Sequence, residues 1–261
     1  MTEGPAGWAR PLHTAVLDAA DVVAGTTLLD LGCGTGEFAS SAAQRGARVT
    51  GVDLDPAAVA LAARAVPEAR FAGGDAQDLG PVDALGGPFA VVAAVQLLTH
   101  VANPLKMLRE AARVAVPGGT LVMTVWGREQ ECDVRVFGEA LAPWLPTPRR
   151  PPGPPSLTDP DRLRKVAWLA GLAVAGIDAV MCTFDYPDDD AVLGPVLVSG
   201  IGRAAVRLAG QDAVEKALRE ALRPYRAAGG GYRLENLFRV LVAHAPPPGG
   251  RGDGPGDSVA P

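Results

Sequence analysis

A glycine-rich turn and a later carboxylate are the residues of this chain best suited to bind a ligand. The turn, DLGCGTG (residues 30–36), ends an apolar segment and opens a helix-like one. Glycines there allow a sharp turn and let backbone N–H groups approach a ligand closely. The spacing is GxGxG, whereas the turn that cradles a dinucleotide pyrophosphate reads GxGxxG. Asp53 lies 17 residues after Gly36, where a carboxylate can accept both ribose hydroxyls of a nucleoside.

Strand-like and helix-like segments alternate around these residues. Strands are predicted at residues 27–31, 48–53, 69–75, 89–95 and 120–126, and helices at 36–45, 56–66 and 103–115. Repetition of strand, helix and strand indicates a parallel sheet with right-handed crossovers, so the predicted fold class is α/β.

The composition fits one large domain with a modest appendage: 261 residues, 48% hydrophobic and 20% charged. With 24 basic and 29 acidic residues the net charge is −5, which argues against a nucleic-acid partner. Cys33, Cys132 and Cys182 form no CxxC pair, so neither a disulfide framework nor a zinc site is indicated. The sequence has no apolar run that suits a signal peptide or a membrane span. We expect a cytoplasmic protein with no membrane partner.

Four segments resemble the class I S-adenosylmethionine-dependent methyltransferases, in the order in which that family carries them. Residues 28–37 (LLDLGCGTGE) resemble its first motif, and residues 49–56 (VTGVDLDP) resemble its acidic loop. Residues 71–79 (FAGGDAQDL) are similar to its adenine-binding segment. Residues 113–119 (RVAVPGG) resemble a motif of the small-molecule methyltransferases. One departure is Ala90, since the family usually carries an aspartate early in the fourth strand.

This resemblance implies a Rossmann-like, doubly wound sheet of seven strands, whose last strand (residues 232–243) is antiparallel. It implies S-adenosylmethionine as the cofactor and a small organic molecule as the substrate. It assigns cofactor binding to Asp30, Gly32, Cys33, Gly34, Gly36, Asp53, Leu54, Asp75, Ala76 and Val95.

The same resemblance implies a role for several of these side chains. Asp30 would lie beside the ammonium group of the methionine portion, which the three glycines would line. Asp53 would hold the ribose, while Leu54 would pack on the adenine. Asp75 and the backbone N–H of Ala76 would bind the polar edge of the adenine. The end of the fourth strand, at Val95 and Gln96, would face the methyl sulfonium.

A catalytic base is needed only if the methylated atom carries a proton, and histidine titrates in a useful range. His100 follows the fourth strand on the cofactor side of the sheet, and it is our candidate for the catalytic base. The alternative for His100 is plain packing. His13, in the N-terminal helix, is a weaker candidate, and His244 is expected to be solvated.

The absence of certain family motifs excludes several classes of methyl-acceptor molecule. No Asn/Asp-Pro-Pro-aromatic tetrapeptide ends the fourth strand, which argues against exocyclic amines of adenine or glutamine. The chain has no Pro-Cys pair for pyrimidine carbon methylation, and no carboxylate cluster for a magnesium-dependent catechol site, so we expect no metal ion. The expected reaction is methyl transfer to an O, C or N atom of a small metabolite, as in secondary metabolism or quinone-like chemistry.

Three alternatives stay open. The same cofactor motifs would serve an enzyme that catalyses a cyclisation or rearrangement without methyl transfer. A nicotinamide-dependent oxidoreductase is opposed by the GxGxG spacing. A non-catalytic partner subunit would use its apolar insertion to bind another protein, and the oligomeric state cannot be read from the sequence.

Three regions are expected: an N-terminal helical cap (1–26), the methyltransferase domain (27–245) and a disordered tail (246–261). Within the domain, residues 188–227 are predicted to form a helical insertion and candidate lid. With Trp8 and a stiff, proline-rich connection (142–155), this insertion would form an apolar cap or simply pack on the surface. The run Asp188-Asp189-Asp190 is expected to be a helix N-cap and a solvated turn.

Overall fold

The computed structural model describes residues 4–145 and 156–247. The predicted proline-rich connection beyond residue 145, and the predicted tail from residue 248 onward, lie outside the described residues. The helices are α1 (Arg10–Ala19), α2 (Glu37–Gln44), α3 (Pro56–Ala65), α4 (Val82–Leu85), α5 (Pro104–Val114), α6 (Arg135–Leu141), α7 (Pro160–Leu169), α8 (Asp189–Val198), α9 (Gly200–Ala209) and α10 (Gln211–Ala221). The strands are β1 (Thr27–Leu31), β2 (Arg48–Asp53), β3 (Arg70–Gly73), β4 (Phe89–Ala94), β5 (Ala115–Trp126), β6 (Ala173–Tyr186) and β7 (Tyr232–His244).

The seven strands form one sheet in the order β3-β2-β1-β4-β5-β7-β6. The strands from β3 to β5 pair in parallel. β7 runs antiparallel to β5, since Ala245 N–H donates to Gly119 at one end while Gly127 N–H donates to Leu237 at the other. The predicted α/β, Rossmann-like fold with an antiparallel last strand is therefore confirmed. The strand order reverses between β1 and β4, which is where ligands bind in sheets of this kind.

Side-chain caps followed by proline start the helices that flank the site. Asp55 accepts a hydrogen bond from Ala57 N–H at the start of α3, ahead of Pro56. Asn103 caps α5 in the same way, through the N–H of Lys106. Because proline has a helical φ and needs no hydrogen-bond acceptor at this position, both helices begin within a residue of their predicted starts.

β5 begins five residues before its predicted start at Thr120. Phe89 pairs with Ala115 and Val91 pairs with Thr120, so the register shifts and the residues between them form a bulge. Gly118 has a φ of 74° at this bulge, a conformation that suits glycine. The Pro-Gly-Gly sequence thus lies within the strand and bends it, although the predicted strand starts only at Thr120.

The chain divides into two compact units. Of the described residues, the larger unit comprises 12–125, 156–180 and 239–247, and the smaller comprises 4–11, 126–145 and 181–238. The larger unit packs α5 and α7 against its strands through a core of fully buried side chains, including Leu29, Val92, Met107, Leu108 and Leu163. Every residue of the candidate site described below lies in this larger unit.

The smaller unit contains α6 and α8–α10. Its aromatic cluster joins Trp8 and Trp126 to two buried phenylalanines, with ring centroids 4.4–6.4 Å apart. Asp188 caps α8, as predicted from the acidic run. Asp189 accepts hydrogen bonds from Tyr232 Oη at 2.6 Å and Arg219 Nε at 2.8 Å, so this carboxylate joins α8 to α10 and β7.

Within residues 4–145 and 156–247, no individual helix has the length and apolar content that a membrane crossing requires. Taken together, α8 and α9 meet those two criteria, but the pair bends by 89°.

Gly202 should be essential to the turn between α8 and α9. A Cβ atom there would collide with the carbonyl oxygen of Val196, whereas a Cβ at Gly200 meets nothing within 4 Å. We expect Gly202→Ala to lower the free energy of unfolding by about 1–3 kcal/mol, the usual cost of overpacking. Gly200→Ala, the control in the same helix, should change it by less than about 1 kcal/mol. Urea denaturation of both variants measures the difference, and equal stabilities would contradict this packing.

Candidate functional site

A cavity of about 310 Å³ opens at the carboxyl ends of the parallel strands in the larger unit. It is lined by residues from the ends of β1, β2, β3 and β4: Gly32, Val52, Asp53, Leu54, Gly74, Asp75, Ala76, Gln77, Leu97, His100, Val101 and Ala102. Of the predicted cofactor-binding residues, five line this cavity, and the candidate base His100 lines it as well. Asp30, Cys33, Gly34, Gly36 and Val95 are not part of the cavity lining.

The glycine-rich turn is hydrogen-bonded to the end of β2. Gly34 N–H donates to Asp53 Oδ2 at 2.8 Å, and the N–H groups of Gly32 and Cys33 donate to the carbonyl of Val52. Gly34 has a φ of 50°, and a Cβ at this position would meet no other atom within 4 Å. The space beside Gly34 is therefore open, and Asp53 is fixed against the turn.

Asp53 retains hydrogen-bonding capacity for a ligand. Its Oδ2 accepts from Gly34 N–H, and its Oδ1 accepts from Asp55 N–H at 2.9 Å. A carboxylate offers about four lone-pair sites, so each oxygen can accept one more hydrogen bond. The two backbone bonds orient the carboxylate toward the cavity that it lines.

Asp30 is a buried carboxyl group next to this turn. Its side chain is 1% exposed, and its Oδ2 has no hydrogen-bond partner. Burial, followed by the nearby Asp53 carboxylate, raises the pKa of Asp30 to about 8. A buried acceptor without a partner is costly to stability, so a cationic or hydrogen-bond-donating ligand group would be stabilised here.

Cys33 and Gly36 have packing roles within the turn. Cys33 is buried, and burial followed by the carboxylates of Asp30 and Asp53 raises the pKa of its thiol to about 12. The thiol is therefore protonated and unreactive at neutral pH. Gly36 has a φ of 91°, and a Cβ there would lie 3.1 Å from Ala62 Cβ, so glycine allows α2 to start close to α3.

The loop after β3 is fixed by its own side chains. Asp75 Oδ1 accepts from the backbone N–H of Gln77 at 2.8 Å, and Gln77 Oε1 accepts from Asn103 N–H at 2.7 Å. Glu110 on α5 accepts the N–H of Leu79 at 2.9 Å. These bonds hold the polar end of the cavity against the start of α5.

Leu54 gives the cavity an apolar wall that is open to a ligand. Its side chain is 75% exposed and lines the cavity, so an apolar surface is available to a ligand there. His100 is also exposed on the cavity side, and its backbone N–H donates to Leu97.

His13, the weaker base candidate, is buried. Its ring stacks edge-on against Phe38, and Nδ1 lies 3.3 Å from Ser41 Oγ. Burial lowers the pKa of His13 to about 4, so this histidine is neutral near pH 7.

Six residues that line the cavity were not predicted: Val52, Gly74, Gln77, Leu97, Val101 and Ala102. Val52 is in β2 beside Asp53, and Gly74 and Gln77 lie in the segment that resembles the adenine-binding motif, so the predicted Asp53 and Asp75 point to them. Leu97, Val101 and Ala102 come from the loop between β4 and α5, and their approach to the cavity depends on the path of that loop. Among the described residues, no group of three or more His, Cys, Asp or Glu side chains is placed to hold a metal ion.

Residues 29–123, which contain the whole cavity, match the family model described as "Methyltransferase domain". That model covers the glycine-rich turn, Asp53, the loop after β3 and the segment after β4 in one alignment. The matched region is a class I S-adenosylmethionine-dependent methyltransferase domain. The resemblance found in the sequence is therefore confirmed.

Curated relatives of this methyltransferase domain include a ubiquinone biosynthesis O-methyltransferase of Pseudomonas paraeruginosa. It is 35% identical over 125 residues, an alignment that covers 46% of this chain and 52% of the relative. The chain thus spans about half the length of the curated relatives it matches.

Solved structures share the methyltransferase fold over most of the chain. The [4+2]-cyclase SpnF aligns with a TM-score of 0.55 at 21% identity, covering 90% of this chain and 80% of that one. Phosphoethanolamine N-methyltransferase 2 of Haemonchus contortus, solved with phosphomonomethylethanolamine and S-adenosylhomocysteine, aligns with a TM-score of 0.53 at 19% identity. That alignment covers 93% of this chain and 54% of the other. At these identities the likeness concerns the fold alone.

The buried Asp30 should make the ligand-free protein less stable as pH rises. Its folded-state pKa of about 8 lies above the ordinary value of 3.8, so unfolding releases a proton between these limits. From pH 7 to 8, where His13 is neutral in the folded protein and mostly neutral in the unfolded chain, Asp30 should lower the free energy of unfolding by about 1 kcal/mol.

Asp30→Asn should remove this pH dependence, and urea denaturation at pH 7 and pH 8 measures it. Asp178→Asn, which changes an exposed carboxylate on β6, serves as the control and should leave the pH dependence as it is. A wild-type pH dependence in Asp30→Asn would show that Asp30 does not titrate in this range.

Proposed function

We propose that this chain is an S-adenosylmethionine-dependent methyltransferase that methylates an O, C or N atom of a small organic metabolite. The observation that carries the proposal is the position of Asp53. This carboxylate is fixed by the glycine-rich turn and lines a cavity at the switch point, within residues that match a methyltransferase model.

The nucleoside half of the cofactor fits the residues of the cavity. We infer that Asp53 accepts the two ribose hydroxyls, since both of its oxygens have a lone pair to spare. Exposed Leu54 would pack on one face of the adenine, and Asp75 and Ala76 would meet its polar edge. Full burial of a leucine side chain contributes about 1.5–3 kcal/mol, so covering one face of Leu54 with a ring would contribute part of that amount.

The charged half of the cofactor fits the buried carboxyl of Asp30. The Oδ2 atom that lacks a partner could accept from the ammonium group of the methionine portion, directly or through water. A nearby positive charge favours the ionised form of Asp30, so we expect binding to be accompanied by release of a proton. Gly34 leaves open space beside the backbone of the turn, and Val95 completes the assigned set just after the end of β4.

When bound, the cofactor supplies a methyl group activated by its attachment to a positively charged sulfur. The protein's task is then to align the acceptor with this methyl group and to exclude water. His100 is exposed on the cavity side, and we propose that it accepts the proton of a hydroxyl or amine acceptor.

A hydroxyl-bearing metabolite is the first acceptor class to test. Curated relatives that match this chain include O-methyltransferases of ubiquinone biosynthesis. The chain's charge of −5 disfavours a nucleic-acid acceptor. We therefore propose a small molecule, with phenols and other hydroxyl compounds as the leading candidates.

Labelled methyl transfer tests the proposed function. The purified protein is incubated with trideuteromethyl S-adenosylmethionine and a small-molecule extract of its host, together with a panel of phenols. Mass spectrometry then searches for products that carry the label. A labelled product is expected. A protein that binds S-adenosylhomocysteine but converts its substrate into an unlabelled product would instead be a non-methylating enzyme of the same fold.

His100→Gln should slow the labelled reaction by about 10²–10⁴-fold if His100 is the general base. The affinity for S-adenosylhomocysteine, measured by calorimetry, should stay unchanged. His244→Gln, at the end of β7, is the control and should leave turnover as in the wild type. Unchanged turnover in His100→Gln would exclude His100 as the base. Weaker binding of S-adenosylhomocysteine by this variant would instead indicate that His100 contacts the nucleoside part of the cofactor.

A further inference from the structure

The loop after β3 (residues 74–81) is held by an ion pair on α5. Glu110 Oε2 accepts the N–H of Leu79 at 2.9 Å, and Arg113 Nη2 donates to the carbonyl of Gly80 at 2.8 Å. The same two side chains also bond each other, since Arg113 Nε and Nη2 donate to the two carboxylate oxygens of Glu110 at 2.9 and 2.7 Å. One bidentate pair therefore binds two consecutive residues of the loop.

The charge of this pair strengthens its bonds to the loop. Hydrogen bonds from Arg113 hold the pKa of Glu110 below its ordinary value, so this carboxylate is ionised near pH 7. Hydrogen bonds made by ionised groups are shorter and stronger than neutral ones, and a bidentate pair also fixes their direction. Leu79 is only 7% exposed, so its N–H needs a partner within the protein, which Glu110 supplies.

Stabilisation of α5 alone does not account for this arrangement. An ion pair between residues three apart on a helix contributes little when it is exposed, and the Arg113 side chain is 41% exposed. Arg109, on the same helix, donates instead to the carbonyl of Leu169, which does not line the cavity. Glu110 and Arg113 differ from it because each makes a further bond to a loop that does line the cavity.

The first turn of α5 is attached to the same loop. Gln77 Oε1 accepts the N–H of Asn103, the N-cap of α5, at 2.7 Å. Val101 and Ala102, directly before Asn103, line the cavity, and so does Gln77. The loop after β3 is therefore bonded to α5 at three points, and the segment 97–102 leads directly into the same helix. It follows that α5 sets the spacing between these two walls of the cavity.

We propose that Glu110 and Arg113 are positioning residues for cofactor recognition, which act through the loop after β3. They hold Asp75 and Ala76 ready to meet the polar edge of the adenine, so the loop loses little freedom when the nucleoside binds. This inference rests on the proposed function and adds to it a pair of residues outside the cavity lining. It also gives a role to the first residue of the RVAVPGG segment, which is Arg113.

Two cofactor analogues test this inference without knowledge of the acceptor. S-adenosylhomocysteine carries the adenine amino group, whereas S-inosylhomocysteine has a carbonyl oxygen in its place, which cannot donate to Asp75. Calorimetry gives both dissociation constants for the wild type and for Arg113→Met, which keeps a long side chain but removes its hydrogen bonds. The wild type should prefer S-adenosylhomocysteine.

In Arg113→Met the dissociation constant of S-adenosylhomocysteine should rise by about 3–10-fold, the effect of losing about one hydrogen bond. Binding of S-inosylhomocysteine gains less from the loop and should weaken less. The preference for the adenine form should therefore fall by at least about twofold. A merely structural pair would not change this preference.

Arg109→Met is the matched control on α5 and should keep both affinities, because the bond that it removes goes to Leu169. Glu110→Ala, alone or combined with Arg113→Met, should bind S-adenosylhomocysteine as weakly as Arg113→Met does, since the pair acts as one unit. Thermal unfolding checks that the variants are folded. If Arg113→Met does not fold, Arg113→Lys takes its place, and it should lose part of the affinity and of the preference because it keeps a cation without the bidentate geometry.

Wild-type affinity and preference in folded Arg113→Met would overturn the inference, while leaving the proposed function intact. Weaker binding with the wild-type preference would also overturn it, because the pair would then support the fold without acting on adenine recognition. A wild type that binds both analogues equally would overturn it as well, since the loop would not distinguish the adenine edge. Failure of the wild type to bind S-adenosylhomocysteine would instead overturn the proposed function.

Discussion

The hydrogen bond from Gly34 N–H to Asp53 Oδ2 joins the glycine-rich turn to the end of β2, and the geometry of the site depends on it. Parallel pairing of β1 with β2 brings both carboxyl ends to the same edge of the sheet. In the turn that reaches Asp53, Gly34 has a φ of 50°, a conformation that glycine adopts with less strain than other residues. One short contact therefore sets the direction of the carboxylate and leaves open space beside the turn.

Two buried side-chain oxygens near the glycine-rich turn have no hydrogen-bond partner. They indicate that this region is suited to ligand binding at some cost to the stability of the folded protein. Asp30 and Gln96 each carry a buried acceptor that has no hydrogen-bond partner. A buried acceptor without a partner costs about 1–3 kcal/mol. Proteins commonly break such local rules at functional sites, and both violations here occur at the switch point between β1 and β4.

The sequence predicts the order of elements and the residues of the glycine-rich turn because both depend on short-range patterns. The Asp55-Pro56 and Asn103-Pro104 pairs mark helix starts through local hydrogen bonds, and the structure places those helices as expected. The bulge in β5 could not be predicted in this way. It depends on the pairing of β5 with β4 across the sheet, which a Pro-Gly-Gly sequence alone does not specify.

Some residues of the site could not be predicted from sequence patterns either. Gln77 lines the cavity because its side chain joins Asp75 to Asn103, residues that are far apart in the chain. The left-handed backbone of Gln96 depends on a bond to Thr124, 28 residues away. Such contacts are settled by tertiary packing, whereas Asp53 could be assigned from its position at the end of the second strand.

The role of Asp53 in cofactor binding can be measured by calorimetric titration of S-adenosylhomocysteine into wild type and Asp53→Ala. We predict a saturable site in the wild type, no comparable affinity for NAD, and a loss of affinity of at least about tenfold in Asp53→Ala. Circular dichroism and thermal unfolding would check that the variant remains folded, and Asp178→Ala provides a surface control. Undiminished binding in folded Asp53→Ala, or preferential binding of NAD by the wild type, would contradict the account.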